Sequence, residues 1–156
     1  MSILREQVQG IVAALFVERP GAKRSLAEWS DQLAADGRTI DNHVAAAKDA
    51  IKAQTVLRHM TGIERWGQQR LRVFLGQPLI VDEYDGYRTA TNLSTEEQRV
   101  EFRKTRAETV EIVRKIAALK PDLTNKVLHN SFGPLTARGW LRYLDMHANL
   151  ESKKIR

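Results

Sequence analysis

The stretch "GWLRYLDMHANLESKKIR", residues 139 to 156, decides how the chain folds. Trp140 and Leu144 stand one helical turn apart and mark one face of a helix, and such a face has to be buried against other elements. The next two positions on that face are His147 and Glu151. An unpaired buried carboxylate is costly, so an apolar stripe that closes on an imidazole and a carboxylate needs a reason. The stretch predicts a helix that helps to build a core and also carries polar chemistry into it.

Working outward, helical spacing recurs through the chain. Thr136 is placed to cap this last helix, with Leu135 packing back on it. "VLHNSFGPLT", residues 127 to 136, turns the chain. Before it, Ser94 and Glu97 form a capping box that opens a helix with the stripe Phe102, Thr105, Thr109, Val113 and Ile116, closed by Pro121. "GQPLIVDEYDGYRTATNLS", residues 76 to 94, reads as a long irregular loop, and loops of that length in a small domain often cover a site. Within it "YDGYR" is either a cap that selects substrate or a surface connection with Gly86 in a turn.

Val56, Met60, Ile63, Trp66 and Phe74 carry a helical period up to Gly76 and Pro78, and Ile40, Val44, Ala47 and Ile51 carry another. The two are one very long helix or two joined by a bend near Gln54 and Thr55. Ser25 caps a short helix expected to end near Gly37. Leu4, Val8, Ile11 and Leu15 predict an amphipathic first helix stopped before Pro20 and Gly21. Four main helices with polar backs and apolar fronts must bury those fronts against one another, so the expected fold is an all-α four-helix bundle with an extra N-terminal helical segment, a single domain over residues 1 to 156.

A chain of 156 residues is long enough for a hydrophobic core, and 42% hydrophobic with 28% charged residues is ordinary for a soluble protein. The absence of cysteine excludes disulfides, thiolate metal sites and a cysteine nucleophile, so any metal is held by nitrogen and oxygen. "IVAALFV" is too short to span a bilayer and its flanks do not make a signal peptide, so no membrane partner and a cytoplasmic location are expected. The net charge of +6 raises nucleic-acid binding. The basic residues are nonetheless mixed with acids, as in "EEQRVEFRKTRAE", the pattern of a solvated helix face.

In "LRHMTGIERW", residues 57 to 66, His59 shares a face with Ile63 and Trp66. Two helices thus each turn a ligand type toward one interior, and His147 and Glu151, one turn apart, can chelate. His59, His147 and Glu151 would form a two-histidine, one-carboxylate site with open positions, suited to zinc, iron(II) or nickel. The competing reading makes the histidines hydrogen-bonded core residues and leaves Glu151 in water at a frayed end. His129 either lines a pocket mouth or bonds the backbone of its turn, and His43 is exposed or locally bonded. Trp66 and Trp140 read as core, Asp145 points away from His147, and Arg65, Arg70 and Arg72 read as solvated-face charge.

The same residues carry a family resemblance. "LRHMTGIERW" resembles the opening of the second helix of the DinB/YfiT-like superfamily, where a His precedes an "xERW"-like run. "HNSFGPLTARGWLRYLDMHANLESKKI" is similar to that family's end, an "FGxLT" turn leading into a Trp-containing helix with His-x-x-x-His and then Gln-Ile. In this register His59, His147 and Glu151 fall on the three ligand positions and Lys154-Ile155 on Gln-Ile, and the likeness spans roughly residues 55 to 156. It implies an up-down-down-up four-helix bundle, commonly a homodimer, holding a divalent metal on three histidines. Characterised members of that family include transferases and isomerases that use thiols such as mycothiol or bacillithiol. The chain departs from the pattern where Glu151 replaces the third His and Lys154 follows it. The expectation is a divalent-metal enzyme (zinc, nickel or iron), a thiol-dependent transferase or hydrolase that activates a water or a thiol against a small-molecule substrate. Its alternative is a non-catalytic helical dimerisation or binding module with a degenerate metal site.

Overall fold

The computed structural model describes residues 2–156, and of Ser2 only the backbone. Five long helices carry the described chain: α1 (Ser2–Ala13), α2 (Leu26–Ala45), α3 (Ala50–Val73), α4 (Thr95–Ala118) and α5 (Ala137–Ser152). A hairpin of β1 (Lys126–His129) and β2 (Gly133–Thr136) precedes α5, with Val127 opposite Leu135. Both α2 and α3 pack against α4 and against α5. None of the described helices is long and apolar enough to cross a membrane.

The first helix differs from expectation in length and in orientation. It continues through a π turn, Ala14–Glu18, and a last turn, Arg19–Gly21, instead of stopping before Pro20. In that π turn the Arg19 N–H donates to Ala14 O, a wider coil that accommodates a proline lacking its own N–H. Leu4, Val8, Ile11 and Leu15 face outward, and the buried positions are Ala13, Val17 and Gly21. The far end of the segment sets this rotation. There the Glu18 carboxylate accepts from the Thr136 N–H and hydroxyl, each at 2.7 Å, and Trp29 Nε1 donates to Gly21 O at 2.9 Å.

Ser25 caps α2 as expected, in a box with Glu28 that the sequence reading does not include, yet the helix runs past Gly37 to Ala45, with Gly37 buried against the Arg106 side chain. The break before α3 comes at residues 46–49, earlier than Gln54 and Thr55. Asp49 fixes it by accepting from the Lys52 N–H at 2.9 Å, and this leaves Ile51 exposed. In α4 the Ser94–Glu97 box forms and the whole stripe from Phe102 to Ile116 is buried. Thr136 caps α5, accepting from Gly139 N at 3.1 Å, and Leu135 is fully buried. The segment read as a plain turn is the hairpin, tied to α5 by Trp140 Nε1, which donates to Val127 O at 3.0 Å.

Two apolar clusters hold these elements. One gathers Trp29, Leu33, Trp66, Leu135, Trp140 and Leu144, and the other Ile40, Val44, Met60, Phe102, Ala148 and Ile155. The chain also buries a polar seam. Arg106 forks onto Glu64, with Nε to Oε1 at 2.6 Å and Nη2 to Oε2 at 2.8 Å, while Thr109 donates to the same carboxylate at 2.9 Å. Asp145 faces Arg106 at 3.7 Å, and burial, reinforced by Asp36 against the pull of Arg106, pushes its carboxyl up to about 7.

Arg70 is a correction to the solvated-face reading. It is completely buried, lies over the Trp66 ring at 5.0 Å, and donates to Ile80 O, to Asp82 O at 3.3 Å and to Asn130 Oδ1 at 3.1 Å. It thereby fastens the long loop to α3 and the hairpin. Arg65 and Arg72 instead pair with Glu101 and Glu108 of α4. At the carboxy-terminus Arg156 O accepts from Lys48 N at 2.9 Å and Asp49 N at 3.3 Å, and Ile155 is 1% exposed. His43, expected to bond locally if at all, places Nε2 2.8 Å from Ile155 O instead.

Candidate metal centre

His59 comes from α3, and His147 and Glu151 from α5. These helices approach closely because Gly67 has no side chain: a Cβ there would stand 2.5 Å from Leu144 Cδ2. The anchored carboxy-terminus keeps the last turn of α5 formed, so Glu151 stays beside the imidazoles. The three side chains offer ligand atoms that all lie within 4.8 Å of one another, a group that could hold a metal ion.

The two imidazoles are hydrogen-bonded to each other, Nε2 to Nε2 at 3.1 Å, with ring centroids at 5.0 Å. Two nitrogens bound at about 2.0–2.1 Å to one cation stand about 2.9 Å apart at a right angle and about 3.4 Å apart at the tetrahedral angle. The observed spacing lies between these values, so the pair needs little rearrangement to share a cation. Glu151 Oε1 accepts from Lys154 Nζ at 2.8 Å.

Protonation states suit the same purpose. Burial lowers both histidines: His59, where Arg88 and Lys154 add to the effect and Glu151 opposes it, and His147, which falls to about 4 because a second positive imidazole beside His59 is disfavoured as well. Burial alone would raise Glu151, but the Lys154 hydrogen bond and the positive charge of His147, Lys154 and His59 outweigh it and hold the carboxyl below its usual range. Near neutral pH the set is two free imidazoles and one carboxylate, the forms that bind cations.

Aromatic rings fix the histidines from outside. Tyr84, in the 3₁₀ turn Tyr84–Tyr87 of the long loop, stands edge-on to His59 with centroids at 5.2 Å, and Tyr143 lies 6.0 Å from His147. The "YDGYR" loop therefore reaches the site, although Gly86 itself is an exposed turn residue. The loop is held in place by Trp66 Nε1, which donates to Asp82 O at 3.1 Å, and by Arg58 Nε, which donates to Thr89 O at 2.6 Å.

His129 does not join the cluster. It is buried, and its Nδ1 accepts from Ser131 N at 3.1 Å and Phe132 N at 3.2 Å, the backbone-bonding role of a turn residue. Burial, with Arg70 and His147 contributing, drives it down to about 3. Trp66 and Trp140 are core, with ring centroids 5.3 Å apart.

The cluster opens into a pocket of about 350 Å³ whose wall includes His59 and Glu151. A groove of about 370 Å³ between α2 and α4, floored by Ala34, Ala107 and Val110, contains none of the three residues. Sequence reasoning missed the side chains that the loop and the first turns of α3 bring to the pocket. Arg88 lies in the loop, outside any helical register, and only the loop's length hinted at it, whereas Lys52 stands seven residues before His59 on the same face of α3, a spacing that could have found it. Comparison with protein-family models, with curated proteins and with solved structures finds no match to this chain.

Proposed function

We propose that the chain binds a divalent cation on His59, His147 and Glu151 and works as a metal-dependent enzyme of the DinB-like kind, a thiol-dependent transferase or a hydrolase acting on a small molecule. In this reading α2 to α5 form the up-down-down-up bundle of that family, α1 is an added segment, and the active form is a homodimer. The observation that carries the proposal is the convergence of the three side chains from two helices, with facing Nε2 atoms 3.1 Å apart. The resemblance of "LRHMTGIERW" and of the closing helix to the family's ligand motifs supports it independently.

A divalent cation supplies Lewis acidity, lowering the pKa of a water or thiol in an open position. The chain's own residues do the rest. His59 and His147 would hold the cation through their Nε2 atoms in place of the hydrogen bond between them, and Glu151 would add a negative charge in exchange for its contact with Lys154. Tyr84 and Tyr143 restrict the rings. No carboxylate other than Glu151 lines the pocket, so no separate general base is assigned.

The Glu151–Lys154 pair favours a second reading, because it satisfies the carboxylate without a metal. In that case the chain is a non-catalytic helical binding module. Elemental analysis of protein purified without a histidine tag separates the two. The proposal expects about one zinc, nickel or iron per chain, lost in Glu151→Ala and in His147→Ala. Protein that stays metal-free after exposure to all three ions would leave the binding module as the reading.

A further inference from the structure

We infer that the pocket beside the metal centre is built to receive an anionic substrate, a small molecule that presents a carboxylate or a phosphate to Arg88 and Lys52. The inference rests on the proposed metal site only for what lies at the pocket's inner end.

The pocket wall is basic. Lys52, Arg58, Arg88 and Lys154 line it, and Glu151 is its only acid. Lys154 is engaged by Glu151 at 2.8 Å, while none of Lys52, Arg58 and Arg88 has a salt-bridge partner among the described residues. Several other arginines of the helices are treated differently: Arg65, Arg70, Arg99 and Arg106 each stand within reach of a carboxylate.

Arg88 is also held where it is. Its guanidinium lies over the Tyr84 ring at 5.0 Å, and its stem crosses α3 at Gly62, where a Cβ would come within 2.9 Å of Arg88 Cγ. Its Nε is buried without a hydrogen-bond partner. Because Nε has no accessible surface, an oxyanion in the pocket would be met by the terminal nitrogens of this guanidinium. Packing thus fixes a fork of donors at a pocket edge with no protein acid to receive it, and such a fork matches carboxylate and phosphate oxygens two at a time. The volume, about 350 Å³, suits a small metabolite-sized molecule.

Charge balance points the same way. Two neutral imidazoles and one carboxylate would leave a bound divalent cation with residual positive charge, and Lys154, released by Glu151, would join Lys52, Arg58 and Arg88 as basic groups on the pocket wall. An anion relieves that repulsion. Cation and anion should therefore strengthen each other's binding, reciprocally.

The test is isothermal titration calorimetry of tag-free protein, with and without zinc, at about 0.15 M salt so that diffuse attraction is screened. Succinate and inorganic phosphate are the probes, and neutral succinamide is the control. The inference expects one of the anions to bind once per chain, more tightly with zinc present, and succinamide not to bind. Arg88→Gln should weaken the anion about tenfold or more, the loss expected of a charge-assisted contact, and the exposed Lys52→Gln should weaken it less. Zinc affinity in Arg88→Gln should be unchanged or tighter, because a like charge has been removed. If that variant loses zinc and anion together through misfolding, Lys52→Gln decides.

Which anion binds tells a carboxylate substrate from a phosphate one. Binding of neither, or binding indifferent to both substitutions, overturns the inference. Zinc binding with no anion binding sinks this inference alone. Anion binding that depends on Arg88 in a protein that takes up no zinc sinks the metal reading alone.

Discussion

On α1 and the π turn that continues it, the apolar positions Leu4, Val8, Ile11 and Leu15 are 69%, 51%, 60% and 46% exposed, whereas on α5 Trp140 and Leu144, at equally regular spacing, are 0% and 1% exposed. The two stripes have the same period in sequence. What separates them is distant bonding. The α1 segment is gripped at its far end by Glu18 on Thr136 and by Trp29 on Gly21 O, which turns Ala13 and Val17 inward. The α5 segment is gripped at both ends, by the Thr136 cap and by Arg156 O on Lys48 and Asp49. A hydrophobic period names a face of a helix, and the ties that rotate the helix decide whether that face is covered.

Substitutions along the two stripes put a scale on this contrast, measured by urea unfolding of chelator-treated protein so that metal linkage does not enter. The largest effect is expected at Trp140→Ala, a loss of about 3–5 kcal/mol from a fully packed aromatic that also bonds Val127 O. A cost under 1 kcal/mol would mean that the α5 stripe is not the core the structure describes. Next comes the metal: zinc at a hundredfold excess over its dissociation constant should stabilise the wild type by about 2.7 kcal/mol and leave His147→Ala nearly unmoved. Equal stabilisation of both would place the cation elsewhere.

Thr136→Ala removes a helix cap and one hydrogen bond to Glu18, and about 1–2 kcal/mol is expected. The smallest effect belongs to α1, where Ile11→Ala should change stability by no more than about 0.5 kcal/mol. A larger cost that grows with protein concentration would show that a second copy of the chain covers this stripe.

Much of the architecture is legible in the sequence because it follows local rules. Ser25, Ser94 and Thr136 cap their helices as their spacing predicts, and the α4 stripe from Phe102 to Ile116 is buried throughout. His59, His147 and Glu151 come together for the same reason, each standing on the predicted face of its helix. The features that escaped depend on partners far along the chain. Glu64 is buried because Arg106, on another helix, forks onto it. Arg70 is buried because the returning loop and Asn130 offer it oxygens, and nothing near Arg70 in sequence announces that. The helix break at residues 46–49 sits in an Ala-rich run that continues the helical period, with Asp49 as its sole local mark. Strands of four residues are too short to declare an alternation, so the hairpin reads as a turn.

The most direct test of the central claim is X-ray absorption at the zinc edge on the tag-free, zinc-loaded protein, compared with Glu151→Gln. Imidazole scattering from two histidines plus an oxygen ligand, at about 2.0–2.2 Å from the metal, with weakened zinc retention in the variant, is the predicted result. A spectrum without histidine scattering, or one identical in the variant at equal retention, would contradict a metal centre built on His59, His147 and Glu151.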